Sequence, residues 1–214
     1  MRIPNTVFPH SIYILIIKMI ETIFKKITRH YGLAFLVIWL GSQLLANPET
    51  PYVLILLGVF IVHAWVYFVH RGLHIAHDMK LLDFFNTHMR FHHQSEKDLP
   101  RPLELFFECI TDMTMNLSII PVQKLLGINL IPMPVIILFA LTYTTIHIVN
   151  YSMFGSLFHR RHHETKIKNY APDAMDHLCK TNYNEEHEDL NVTVLNIFAV
   201  MAVLYPIKDI INKL

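Results

Sequence analysis

Four apolar stretches, each close to the length that crosses a lipid bilayer, constrain this chain more than any other feature. A spanning helix needs about 20 mostly apolar residues, with about 17 as a lower limit. Residues 31–46 fall slightly short of that length and 51–69 reach it; 103–126 reach it while carrying Glu104, Glu108 and Asp112, and 130–149 are clean apart from two early prolines. Asn47, Pro48, Glu49 and Thr50 form a tight polar turn within the first pair, and Gly127, Ile128 and Asn129 turn the second. The predicted fold is therefore all-α, an integral membrane bundle of about four transmembrane helices built as two helical hairpins. Composition agrees: 53% of residues are hydrophobic and 16% charged, where soluble domains carry roughly 25% charged residues.

Two further segments read differently. Residues 11–27 have a charged face of Lys18, Glu21, Lys25 and Lys26, which predicts an interfacial amphipathic helix within an N-terminal segment 1–30. Residues 192–206 are short for a span and fit either partial insertion or packing against the bundle. The remainder, 31–214, is expected to form one membrane-embedded domain, with any electron-donor domain expected on another protein. No small-residue cleavage pattern marks a removable signal peptide. Cys109 and Cys179 lack the spacing of a zinc ribbon or disulfide framework and suit a reducing, cytosol-facing site. The net charge of +1 offers nothing to nucleic acid.

Positive residues set an orientation. The turn at 47–50 has none and the other has only Lys124 nearby. The opposite side collects Lys25, Lys26, Arg29, Arg71, Lys80, Arg90, Lys97, Arg101, Arg160, Arg161, Lys166, Lys168 and Lys180. That side is expected to face the cytoplasm, in an endoplasmic-reticulum-like or bacterial inner membrane.

Eleven of the fifteen histidines emerge on that same side. Three clusters hold His70, His74 and His77; His88, His92 and His93; and His159, His162 and His163, with His63 and His147 in the apolar stretches leading in. Imidazole is costly to bury without partners. His63, His70, His74 and His77 are spaced to follow one face of a continuing helix, His88 and His92 are four apart, and His159, His162 and His163 combine spacings of three and four. Such pairs place two nitrogens on one ion. A catalytic zinc ion needs three protein ligands and a structural one four, so this supply is enough for two ions. Nitrogen donors suit iron, copper, nickel or zinc, and beside a lipid phase iron with dioxygen makes chemical sense. The candidate metal ligands are His70, His74, His88, His92, His93, His147, His159, His162 and His163, with His63, His77 and His177 as outer-shell residues. His10, His30 and His187 stand apart and read as ordinary surface or core residues.

At these residues the chain resembles the fatty acid hydroxylase and sterol desaturase superfamily of integral membrane di-iron enzymes. The resemblance runs through Trp65-Val-Tyr-Phe-Val-His70-Arg71-Gly-Leu-His74, His92-His93, Pro102-Leu-Glu104, His159-Arg-Arg-His162-His163, Asn169-Tyr170-Ala171, Asp176 and Thr181, and covers about residues 31 to 185. It is nearest in motif to the sterol methyl oxidase and sterol desaturase members. Three positions depart from the pattern. His88 and His92 are separated by three residues rather than two, Tyr151 stands where a second histidine often follows His147, and Leu178-Cys179-Lys180-Thr181 replaces a Phe-Gly-Thr ending.

The resemblance implies a cytosolic histidine-rich cap holding two iron ions. It also implies dioxygen as co-substrate, a membrane lipid (sterol, fatty acyl or sphingolipid) as substrate, and hydroxylation or desaturation as the reaction. Electrons would come from an external donor such as cytochrome b5 and its reductase or another small redox protein. Asn169 and Asp176 are expected to orient ligand imidazoles. Two other classes remain open: a metal-binding or metal-transporting membrane protein without redox turnover, and a noncatalytic relative that binds lipid.

Overall fold

The computed structural model describes residues 32–81, 86–93, 99–183 and 190–214, together with a few isolated positions nearer the N-terminus; the side chains of 190–192 are outside that description. The interfacial helix expected over 11–27 falls outside these continuous stretches, as do His10, His30 and His187. Every regular element among the described residues is helical. In chain order these are α1 (Gly32–Leu45), α2 (Tyr52–Asp78), α3 (Arg101–Leu117), α4 (Ile119–Leu125), α5 (Met133–Ile146), α6 (Leu157–Thr165), α7 (Asp173–Cys179), α8 (Leu190–Leu204) and α9 (Lys208–Ile211). Two π-helical segments, His88–His93 and His147–Met153, lie among them.

Proline sets several of the starts. Pro51, Pro100, Pro132 and Pro172 each hold the extended residue before α2, α3, α5 and α7, where a missing N–H leaves no helical bond unmade.

Four segments are long and apolar enough to cross a membrane: Tyr52–Asp78, Arg101–Leu125, Met133–Met153 and Thr193–Ile211. The number matches the sequence reading and the membership does not. Residues 31–46 give only the 14-residue α1, whereas the 192–206 segment is the start of a longer helical run. Its extension had been hidden by Pro206, which occupies the first turn of the short 3-10 helix Tyr205–Ile207 and lets the chain continue into α9.

α1 and the four long segments run alternately up and down. α5 is the central element, packed against α1, α2, α3 and α8, and it is the most buried of the four long segments. At one end, the Gln123 side chain accepts from the Ile131 backbone N–H at 2.7 Å and closes the second turn, where Gly127 adopts φ +64°. Gly58 lets α2 approach the start of α5 closely: a Cβ there would stand 3.2 Å from Ile131 Cγ2. The Asn212 side chain donates to the Leu45 carbonyl at 2.7 Å, bringing α9 to the same end.

The outward faces are apolar. Leu33, Leu36, Leu40 and Leu44 form an exposed stripe on α1, and Phe60, Phe68, Leu195 and Phe198 are exposed on α2 and α8. A surface of this kind suits a lipid contact. The histidines gather at the other end, where α2 and α5 finish and α3 and α8 begin.

Candidate metal centre

Two groups of imidazoles meet at that end. His70, His74, His88, His93 and His162 bring one nitrogen each within 4.8 Å of one another, and His92, His159 and His163 do the same. His147 joins the second group, its Nε2 lying 3.0 Å from His92 Nε2. The nine candidate ligands are thus divided between two adjoining clusters.

Helix geometry explains the division. On α2 and α6 the pairs His70/His74 and His159/His163 are four apart, one α-helical turn, and each pair stays within one group. The segment His88–His93 is π-helical, with hydrogen bonds spanning five residues rather than four. His88 and His93 therefore share the first group while His92 enters the second; the expected pairing of His88 with His92 on one face is not what forms. Both His-His doublets are split. His93 and His162 go to the first group, and His92 and His163 to the second.

The ring orientations fit metal ligation. His162 Nδ1–H donates to the Lys168 carbonyl at 2.6 Å, His70 Nδ1 lies 3.5 Å from Tyr143 Oη, and His92 and His147 turn Nδ1 toward Glu108 Oε1 at 3.3 Å and Asp112 Oδ2 at 3.4 Å. A partner on Nδ1 leaves the lone pair on Nε2. The Nε2 atoms then face one another: His163 lies 3.0 Å from His92 and 2.8 Å from His159, and His162 lies 3.1 Å from His93. Converging lone pairs repel unless a cation lies between them. Nitrogens each about 2.1 Å from one ion and at right angles would stand about 3.0 Å apart. Buried His70 Nε2, His74 Nε2 and both nitrogens of His88 have no hydrogen-bond partner, a cost that coordination removes. The donor set fits two metal ions.

Electrostatics point the same way for the histidines outside the apolar spans. Burial, the largest cause in each case, holds His88, His92, His93, His159, His162 and His163 below the ordinary imidazole value, and neighbouring imidazoles add to it at all but His163. Neutral imidazole is the form that binds metal.

Glu108 and Asp112 were not among the expected site residues. They sit one turn apart on α3, both buried, and the Ser152 hydroxyl holds the second oxygen of Glu108 at 2.5 Å. The signal was present in the sequence as acidic residues inside an apolar span, where such groups are costly and usually functional.

The expected outer-shell residues are placed as follows. His63 lies on α2 with Nδ1 2.7 Å from the Val59 carbonyl oxygen, outside both groups. His77 is half-buried at the end of α2, seven residues after His70 and outside both groups. His177 Nε2 lies 3.5 Å from Asp173 Oδ1. Asn169 and Asp176 tie the loop 166–172 to its neighbours instead of bonding to ligand rings. Asn169 donates to the Phe158 carbonyl and accepts from Tyr183 N–H, and Asp176 accepts from Tyr170 N–H, Ala171 N–H and the Thr181 hydroxyl. This loop supplies the Lys168 carbonyl and the Tyr170 ring, which meets His70, His74 and His162 edge-on at 5.3 to 5.7 Å.

Comparison with family models, curated proteins and solved structures returns no match for the chain.

Proposed function

We propose that this chain is a membrane-embedded di-iron oxidoreductase that uses dioxygen to hydroxylate or desaturate a lipid. The observation that carries the reading is the split of both His-His doublets, which ties two all-imidazole groups into one centre. Two ions held side by side by nitrogen suit redox chemistry better than a structural role, for which one four-ligand site is enough. Iron bound there would supply the activation of dioxygen and the removal of hydrogen from an unactivated carbon.

The rest of the work falls to the chain. Glu108, Asp112 and the Lys168 carbonyl fix ring tautomers. Tyr170 covers one face of the first group, and the bundle beneath admits lipid and excludes water. Electrons come from a separate donor, such as cytochrome b5 or another small redox protein, docking on the cytoplasmic side. The gathering of the imidazoles at one end of the bundle supports catalysis over ion transport, which needs polar groups along the membrane depth.

Iron analysis of protein purified after iron-replete expression tests the centre. Two ions per chain are expected, with loss of both in a His162→Ala/His163→Ala variant. Lipid profiling of cells carrying active protein or that variant tests catalysis. Identical profiles would overturn the oxygenase reading in that host.

A further inference from the structure

A cavity of about 80 Å³ lies between α1, α2, α5, α7 and α8. Its walls include Phe35 and Phe139, and it reaches the imidazole groups through two tyrosines. Tyr143 Oη is 3.5 Å from His70 Nδ1, and the Tyr151 ring stacks on His159 at 4.5 Å. The cavity is thus one aromatic layer from a ligand of each group.

Two hydroxyls and one imidazole on its lining offer hydrogen-bonding capacity, and the hydroxyls have no partner within the fold. A helical threonine commonly bonds to the carbonyl four residues back, as Thr145 and Thr165 do at 2.6 and 2.8 Å. Thr142, 2% exposed, and Thr193, 7% exposed, do not: each hydroxyl is buried without a partner. Burying an unmet hydroxyl is costly, so two on one cavity call for a ligand. His63, between the rings of Phe35 and Phe139 at 5.6 and 4.5 Å, supplies the imidazole. Its Nδ1–H donates to Val59, which leaves Nε2 as an acceptor. Two donors and one acceptor within aromatic walls complement an alcohol on an otherwise apolar molecule.

We propose that this cavity binds the hydroxyl-bearing segment of a lipid, with Thr142 and Thr193 donating to its oxygen and His63 Nε2 accepting its O–H. Identifying that lipid as the substrate rests on the oxygenase reading above; its occupancy of the cavity does not. The hydroxyl would anchor the molecule, and the carbons beside it would lie along Tyr143 and Tyr151, facing the metal centre.

Binding of matched probe pairs to the purified full chain in lipid nanodiscs tests this. The pairs are cholesterol with cholestene, its deoxy analogue, and ricinoleate with oleate. The hydroxylated member of at least one pair should bind about tenfold more tightly, as one or two buried hydrogen bonds imply. The pair that discriminates identifies a ring or an acyl source. In a Thr142→Val/Thr193→Val variant the preference should shrink to about twofold, with affinity for the deoxy member unchanged; Thr142→Ser/Thr193→Ser should retain it. No preference in either wild-type pair, as when water satisfies the hydroxyls, or an undiminished preference in the valine variant, overturns the proposal. The wild-type comparison decides even if the valine variant does not fold. Iron content is read in parallel. Iron-free protein that keeps the preference overturns the oxygenase reading and supports the cavity assignment, whereas iron-loaded protein without a preference overturns the cavity assignment alone.

Discussion

His92 and His147 are 55 residues apart, yet their Nε2 atoms lie 3.0 Å from each other, and the Nδ1 of each faces a carboxylate on the same helix. Glu108 and Asp112, one turn apart on α3, match the two rings one to one. A carboxylate behind an imidazole fixes its tautomer and makes it a stronger ligand. It also places buried negative charge where two cations would offset it, and without cations burying both carboxylates would be costly.

Removing that support should weaken one ion selectively. Glu108→Ala and Asp112→Ala are each expected to lower affinity at the second group by about 10- to 100-fold, with the first group unchanged. Glu108→Gln keeps an acceptor oxygen and should lose less than Glu108→Ala. Chelator competition followed by metal analysis reads these affinities; equal weakening at both groups would contradict the pairing.

The split doublets give a prediction that a loose histidine patch would not. His93→Ala or His162→Ala should loosen the first group's ion and His92→Ala or His163→Ala the second, each leaving about one tightly held ion per chain. Combining His93→Ala with His162→Ala should still leave one, because both serve one group. Combining His162→Ala with His163→Ala should leave none. Metal stoichiometry decides, and a smooth decline with the number of histidines removed would sink the two-group arrangement.

The sequence showed this centre wherever ordinary α-helical spacing governs. His70/His74 and His159/His163 could be paired by eye because both segments are α-helices. His88/His93 could not, since a π-helical segment leaves no periodic mark over six residues, and a spacing of four misassigns His92 to its neighbour's group. Glu108 and Asp112 were visible but counted against a membrane span, because a hydropathy sum records the cost of a buried carboxylate and not the imidazole opposite it. The exchange of α1 for the α8–α9 run has a similar source. The expected segment ends at Pro206, and the tolerance of proline in the first turn of a new helical segment depends on backbone that the sequence does not display.

Asp176 supplies a pH-dependent test of the loop that carries Lys168 and Tyr170. Burial raises its carboxyl from 3.8 to about 6, against the opposing effect of the bonds from Thr181, Ala171 and Tyr170. An acid whose folded value lies above its unfolded value stabilises the fold most below the unfolded value, and this contribution is lost as pH rises through the folded value. The stability of metal-free wild type relative to Asp176→Asn should therefore fall between pH about 4 and about 6 and level off above, by at most about 3 kcal/mol. Paired thermal unfolding curves across that range measure it. A difference independent of pH would mean that Asp176 has an ordinary carboxylate value.

The placement of the described cations predicts an orientation across the membrane. Arg71, Lys80, Arg90, Arg101, Arg160, Arg161, Lys166, Lys168 and Lys180 lie around the histidine end, against Lys124, Lys208 and Lys213 at the end of the turns. Positive residues near span ends favour the cytoplasmic side, so the histidine end should face the cytoplasm. In a background with Cys109 and Cys179 replaced by serine, Ile167→Cys and Glu49→Cys put reporters on exposed positions at the two ends. A membrane-impermeant maleimide added to intact cells should label the second and spare the first, and inverted vesicles should show the reverse. Labelling of Ile167→Cys in intact cells would place the metal centre outside the cytoplasm, beyond reach of the cytosolic electron donor on which the proposed chemistry depends.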